Sequence, residues 1–502
     1  MLATVGKSYP ARSARSVTVL RARAQVYEAA GTSRRARRWQ APTIGPNDSV
    51  LGSLSLLRDR SRAADRNDGW AWSAINKLVT NIVGCGITPL SKSPDPDFRK
   101  ALHTKFLSWT DFSDADGLLE YYGQQGQAVY TWLSAGECFI RMRDRLPGDG
   151  LPVPLQLQLI EPEFCPHTHH GVNGANRIRA GIEFSPIGKR VAYWMYRQRP
   201  GDLQDLDVSQ LVRVPAETVI HLFDPARPGQ IRGIPRLTRA LVRFLDLDRF
   251  DDATLLRQQI ANLFAAFVTP PAGTADAELD PLTGHPVESL GDQAVVGLEP
   301  GIVQRLDPGE SIEFAKPPDV GNTYGDFMRQ QLMGAAVATG VPYEVMTGDM
   351  SKVNDRTVRV ILGEFRRYVQ QMQHFIVAFQ LCQRVWSAWF DRALLSGALD
   401  VPSAYYDDPL TWRAVEWQPH GWPYIHPLQD VEAQLKAIAG GLNSRSGSAA
   451  ESGRSAETID EEQAADRERE RRLGLTYNAA AATPANPLTE DPRDPNSRDG
   501  EE

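Results

Sequence analysis

Apolar side chains at Val358, Leu362, Phe365, Val369, Met372, Ile376, Phe379, Cys382, Trp386, Phe390 and Ala393 recur at steps of almost always three or four. That spacing draws one continuous stripe along a single α-helix, and nothing else in the chain constrains its fold as much. At 1.5 Å per residue, a helix over 355–396 is roughly 60 Å long, about twice the width of a small domain. Helices of that length serve elongated or oligomeric bodies more often than compact enzyme cores. A shorter amphipathic helix over 324–341 precedes it. The two are joined by Gly340-Val341-Pro342-Tyr343-Glu344-Val345-Met346-Thr347-Gly348-Asp349, where Gly, Pro and Asp predict a broken loop.

The chain has 502 residues, more than one ordinary core, so roughly two to four structural regions are expected. No apolar run reaches the roughly 18 residues that a membrane span needs. The N-terminal stretch has scattered arginines but no apolar core of a secretory signal. Cys85, Cys138, Cys165 and Cys382 are far apart and form no CxxC pair, which predicts a reduced, intracellular chain with free buried thiols. Charge is uneven. The arm over 7–38 is almost entirely basic and contains Arg34-Arg35-Ala36-Arg37-Arg38, the tail beyond Glu457 is rich in Asp and Glu, and the net charge is −7. A basic arm suits contact with nucleic acid or an acidic partner; it reads equally well as a solvated extension. Net acidity argues against tight DNA binding over the whole surface, because affinity grows with the phosphates neutralised. A protein that lets DNA slide past should avoid gripping it.

Helices are expected over 51–64 and from Asp68 to a stop at Gly84-Cys85-Gly86, the second presenting Trp72, Ile75, Leu78, Val79 and Ile82 on one face, with Asn67 or Asp68 as its cap. A third is expected over 118–134. From Glu137 the period falls to two, and strands are predicted over 138–142, 155–160, 179–183, 190–196 and 218–223, with Ser185-Pro186-Ile187-Gly188 as a hairpin turn. This is an α+β region. The helical pattern returns from Pro235 to about Phe264, with Leu237, Leu241, Phe244, Leu247, Leu255 and Leu263 in register. Residues 268–318 are rich in Gly, Pro and Asp and predict a small β module, with strand-like pieces at 294–295, 301–306 and 311–315. Aromatic, proline-rich sequence over 412–427 leads to helices over 429–439 and 456–473, and 479–502 has the composition of a disordered tail.

Motifs for chemistry are absent from the sequence. There is no GxxxxGK[ST], no HExxH, no GxSxG elbow and no EF-hand spacing. His167, His169 and His170, with Cys165 nearby, form the one histidine cluster, but no second cluster completes a tetrahedral site. No catalytic residue, cofactor or metal is expected. The run Phe223-Asp224-Pro225-Ala226-Arg227-Pro228-Gly229-Gln230-Ile231-Arg232-Gly233-Ile234-Pro235 predicts a rigid turn from strand to helix. It holds Arg227 and Arg232 near its corner, where they pair with carboxylates of a neighbouring segment or of another subunit.

The stretch HLFDPARPGQIRGIP from His221 to Pro235, followed by a long helix, resembles the lambda-like phage portal proteins. So do Gly321 to Arg359 (GN-xx-YGDF-x6-AAVATGVPYEVMTGDMS-x2-N-x4-R), Tyr27 to Ala30 (YEAA), Arg66 to Ile87 (RNDGWAWSAINKLVTNIVGCGI) and His426 to Ser446 (HPLQDVEAQLKAIAGGLNSRS). The resemblance spans about 27–475. It implies an elongated α+β subunit of the portal fold that assembles into a ring, typically dodecameric, at one vertex of a capsid. It further implies that a separate terminase ATPase packs double-stranded DNA through the ring, that head-completion or connector proteins and the major capsid or scaffold protein are partners, and that the protein resides in the virion. By the same resemblance, 1–45 is a basic arm, 46–234 a wing, 235–266 and 323–341 stem helices, 267–322 a clip, 342–355 a tunnel loop, 356–425 the long channel helix with its aromatic segment, 426–475 a crown and 476–502 an acidic tail.

One departure matters. Family members commonly carry Asn-Tyr-Ser-Ser-x-Arg after the tunnel loop, where this chain has Asn354-Asp355-Arg356-Thr357-Val358-Arg359. Asp355 is the expected cap of the long helix. Lys352, Asn354, Arg356 and Arg359 become the candidates for the DNA channel, as sequence-independent phosphate contacts; Arg356 and Arg359 serve equally well as intersubunit salt bridges. The competing classes are a non-catalytic protein that binds nucleic acid through the basic arm, and a phage-encoded enzyme acting on DNA.

Overall fold

The computed structural model describes residues 43–201, 210–263, 323–422, 424 and 426–475, together with the backbone of four short strands between 266 and 305. In chain order the elements begin with α1 (Pro46–Leu51), α2 (Leu54–Asn67), α3 (Gly69–Ile82), β1 (Thr88–Ser91), α4 (Pro96–Thr110) and α5 (Tyr121–Ala135). The strands β2 (Glu137–Asp144), β3 (Leu155–Ile160), β4 (Gly171–Asn173), β5 (Asn176–Arg179), β6 (Ile182–Phe184), β7 (Arg190–Tyr196), β8 (Leu211–Pro215) and β9 (Val219–Phe223) follow. A short 3-10 turn, Arg236–Arg239, opens α6 (Leu241–Leu263). Then come β10 (Ala266–Val268), β11 (Ser289–Leu290), β12 (Gln293–Ala294), β13 (Val303–Arg305), α7 (Thr323–Thr339) and α8 (Tyr343–Thr347). The long helix is α9 (Asp355–Met372), a π-helical stretch Gln373–Cys382, and α10 (Gln383–Leu395), with no break between them. The chain closes with α11 (Pro409–Trp412), β14 (Val415–Gln418), α12 (Pro427–Ala439), α13 (Arg445–Glu451) and α14 (Ala456–Leu473).

Among the described residues the strands form an antiparallel sheet in the order β3-β2-β9, a five-stranded antiparallel meander β4 to β8, and the pairs β1–β14, β10–β13 and β11–β12. The fold is mixed α+β. One large core gathers the buried faces of α3, α4, α5, β2 and β9 around the long helix. At its centre is an aromatic group in which the Phe106 ring lies 5.1 Å from Trp389, 5.3 Å from Trp386 and 5.6 Å from Tyr121, centroid to centroid. Such tilted and edge-on contacts add to the burial of large apolar rings. The indole N–H of Trp109 donates to the Leu155 carbonyl at 2.8 Å and that of Trp386 to the Arg413 carbonyl at 3.0 Å, so neither polar atom is stranded. A smaller core of Phe139, Ile182, Tyr193 and Val214 joins the two larger sheets.

The long helix forms over the residues its stripe predicts, with one change. Phe365, Val369, Met372, Ile376, Cys382, Trp386, Phe390 and Ala393 are buried, but Phe379 is 70% exposed. In the π stretch each turn takes up more than 3.6 residues, which rotates Phe379 outward and brings Val377 and Leu381 inward. The same stretch lies along β9. The Gln380 side chain accepts from the Phe223 N–H and donates to the Phe223 carbonyl, both at 3.1 Å, as a neighbouring strand would.

Other expectations shift in detail. The helix expected over 51–64 is two helices, because the chain breaks at Gly52-Ser53. Trp72 is exposed, and Ala71 and Ala74 share the inner face of α3 with Ile75, Leu78 and Ile82. Asp68 caps α3, accepting from the N–H groups of Trp70 and Ala71. The strand expected over 179–183 is cut by a turn at Ala180 (φ 51°) and Gly181 (φ 79°); β1, β4, β8, β14 and α4 lie outside the expected elements, although Phe98, Leu102, Phe106 and Trp109 of α4 recur at helical steps and are buried. Leu255 faces outward, and Cys85 is exposed while the other three cysteines are buried. The expectations for the arm up to 42, the strand piece at 311–315 and the tail from 476 lie outside the described residues, as does most of 267–322.

Candidate functional site

The segment between α7 and the long helix is only partly a loop. Gly340 (φ 82°) ends α7 and Gly348 (φ 76°) ends α8, both in the left-handed region that glycine alone enters without strain. Between them Val341 and Met346 are buried in the large core, and the Ser73 hydroxyl donates to the Met346 carbonyl at 2.7 Å. The first half of the expected tunnel loop is therefore a docked helical turn. Asp349 then anchors the second half. Its carboxylate pairs with Arg329 of α7 at 2.6 Å, and accepts from the Tyr343 hydroxyl at 2.9 Å and from the Ser351 hydroxyl and N–H at 2.6 and 3.0 Å. These bonds, those from Ser351 foremost, hold its pKa down at about 2. The Arg329 guanidinium also lies over the Tyr343 ring at 4.8 Å.

The four channel candidates gather at the end of this segment and the start of the long helix. Lys352 is exposed and pairs with Asp326 of α7 at 3.1 Å. Asn354, not Asp355, caps α9: its carbonyl oxygen accepts from the Thr357 N–H and hydroxyl, both at 2.9 Å. Asp355 is the first helical residue, and its Oδ2 lies 3.0 Å from His426 Nε2 and 3.6 Å from Arg359 Nε. Arg356 is exposed and enters no ion pair among the described residues. The site is thus a short row in which Lys352 and Arg356 are exposed cations, loosely held or without an ion pair among the described residues, while Arg359 is half-buried behind them. Arg329, which ties Asp349 to α7, was not found from sequence; its partner is twenty residues away and no periodicity links them.

The Phe223–Pro235 turn is built differently. Glu137, the first residue of β2, is fully buried and receives the guanidinium groups of Arg58 and Arg232, Nε2 of His221 at 2.9 Å and the Gly233 N–H at 2.8 Å. Burial alone would raise its pKa, but Arg232, Arg58 and His221 together hold it well below the usual carboxylate range. Burial also lowers His221 to about 4, so it sits here as a neutral ring. Arg232 spends its remaining N–H groups on the carbonyls of Cys165 at 3.0 Å and Ala180 at 2.8 Å. Of the two partners expected for Arg232, the carboxylate is that of a segment of its own chain, and the guanidinium is enclosed there with no surface left for another subunit. Arg227 is the outer arginine, exposed and donating to the Ile44 carbonyl at 3.3 Å. Gly136 (φ 95°) and Gly233 let the two backbones touch, since a Cβ on Gly233 would lie 2.0 Å from the Gly136 carbonyl oxygen. In the histidine cluster His170 Nδ1 accepts from the Ala180 N–H at 3.4 Å, and among the described residues no three His, Cys, Asp or Glu side chains converge.

The locked turn, the helix-flanked loop and the start of the long helix all lie in a stretch whose sequence belongs to a known class. The sequence model described as phage portal protein, lambda family, matches residues 32–373, and the chain belongs to that family. It is 26% identical to the probable portal protein of Halomonas phage phiHAP-1 over 99% of this chain and 97% of that one. It is 22% identical to portal protein B of Escherichia phage lambda over 89% and 90% of the two. Among solved structures, a chain in the neck of an empty GTA particle overlays with a TM-score of 0.41 at 15% identity, covering 87% of this chain and 96% of that one. No helix among the described residues is long and apolar enough to cross a membrane.

Proposed function

We propose that this chain is the subunit of a portal ring at one vertex of a tailed-phage or prophage capsid, a conduit for double-stranded DNA and the platform on which head joins tail. Family membership over residues 32–373 carries the reading. The ring is dodecameric by family analogy, and its partners are the terminase large subunit, head-completion proteins and the capsid or scaffold protein. Residues 46–234 form the wing, α6 and α7 the stem on either side of the clip, 342–355 the loop that meets DNA, and 426–475 the crown. Lys352, Asn354, Arg356 and Arg359 face the channel, where a few loosely held cations brush phosphates without gripping them. The chain's net charge of −7 suits such a passage, since release of a polyanion requires few net contacts.

The test is the mass and symmetry of the assembled protein, by light scattering and negative-stain electron microscopy, with and without co-expressed scaffold and capsid protein. Rings of several hundred kilodaltons with a central hole are expected. A species that stays monomeric or dimeric under both conditions would overturn the reading.

A further inference from the structure

Where α2 passes α6 the surface opens into a cleft of about 450 Å³. Its floor is apolar, formed by Leu57 and Ala64 of α2 and by Val242 and Leu245 of α6, the last two exposed. Its rim carries Asp68 and Asp248. Burial and then the charge of Asp248 raise the pKa of Asp68, so the two carboxylates feel each other across the opening. Neither enters an ion pair among the described residues, although Arg60 also lines the cleft. An apolar trough with an unneutralised acidic rim calls for an occupant with an apolar body and cationic ends.

The chain contains such a segment nearby. Arg34-Arg35-Ala36-Arg37-Arg38-Trp39 precedes the first described residue, Thr43, by only a few positions, and α1 leads from there directly into α2. Four links join Trp39 to Thr43 and nine join Arg34 to it, giving reaches of about 14 Å and about 30 Å, and α2 rises about 15 Å between Leu57 and Asn67. We propose that residues 34–39 occupy this cleft in the same subunit, with Trp39 on the Val242–Leu245 floor and the arginines at Asp68 and Asp248. Arginine stems cover apolar surface while their guanidinium groups reach the carboxylates. The arm then braces α2 against α6, and the reading holds whether or not the subunits form a ring.

The test uses the full-length chain in a Cys85→Ser background, with Trp39→Cys and Leu245→Cys introduced together. Mild oxidation is expected to join positions 39 and 245 within one chain, giving a species of monomer mass on a non-reducing gel and the linked peptide on digestion. The yield should exceed that of a control pairing Trp39→Cys with Leu118→Cys, an exposed position, by at least several-fold. Adding Asp248→Lys, at an exposed site, should reduce it several-fold, and so should high salt. A yield no higher than the control, insensitivity to Asp248→Lys, or a dimer-sized product as the main species would each overturn the proposal.

Discussion

The Glu137 cluster and the row from Lys352 to Arg359 use the same kinds of side chain to opposite ends. Around Glu137 every charge is enclosed, Arg232 donates to Glu137 and to the Cys165 and Ala180 carbonyls, and the result is one fixed elbow between β9 and α6. Along 352–359 Lys352 and Arg356 face water, Arg359 is half-buried, and the partners Asp326 and Asp355 are exposed. Burial makes a charge part of the architecture; exposure leaves it available to something else.

The largest effect separating the two regions should come from Glu137→Ala, which leaves two buried guanidinium groups without a counter-charge. A loss of about 3–5 kcal/mol is expected, read as a fall in the urea midpoint or as insoluble protein. The double replacement Glu137→Leu with Arg232→Met should be milder than Glu137→Ala alone, because it leaves one buried guanidinium, Arg58, without a counter-charge and not two. Arg232→Lys keeps the charge but not the fork, and should lose about 2 kcal/mol in the same titration. Gly136→Ala should lose at least about 1–2 kcal/mol, since φ is 95° there and the new Cβ would lie 2.6 Å from the Ile234 carbonyl carbon.

Acid should reveal the enclosed region before the exposed one. His221 titrates near 4 when folded because burial disfavours its charged form, against about 6.5 when exposed. The unfolded chain therefore binds the extra proton first, and stability present above pH 6.5 is lost as the pH falls towards 4. Glu183 follows. Burial raises its pKa, but bonds from Arg213, Asn176 and Asn173 more than offset this and hold it at about 2, so its contribution fades as the pH falls below about 4.5. Thermal midpoints measured from pH 7 to 3 should decline through both windows. His221→Gln should flatten the upper window and Glu183→Gln the lower.

The smallest effect on stability belongs to the exposed row. Lys352→Ala and Arg356→Ala should each shift the urea midpoint by no more than about 0.5 kcal/mol. If the row meets phosphates, each should still reduce the salt dependence of DNA affinity by about one counterion. A large stability loss with no change in that slope would erase the distinction between the two regions.

What the sequence made legible follows the same division. The stripe from Phe365 to Ala393 and the period-two strands could be read because burial imposes a local period, and the family could be read from motif order. Glu137 could not be assigned, because its partners Arg58, His221 and Arg232 lie 79, 84 and 95 residues away. The assignment of Asp355 as the cap failed by one residue, since Asn and Asp are nearly equal at that position and only the dihedral angles decide. Phe379 misled for another reason: a π turn changes the period without changing the composition.

The bond pair between Gln380 and Phe223 also bears on solubility. Among the described residues β9 is paired with β2 on one side only, and an open strand rim can recruit a foreign strand. Gln380 occupies the last hydrogen-bonding slot of that rim with a side-chain amide, which satisfies the slot and cannot extend it. The long helix therefore also guards this end of the sheet, so that copies of the chain at high concentration meet there through side chains and not by templated strand addition.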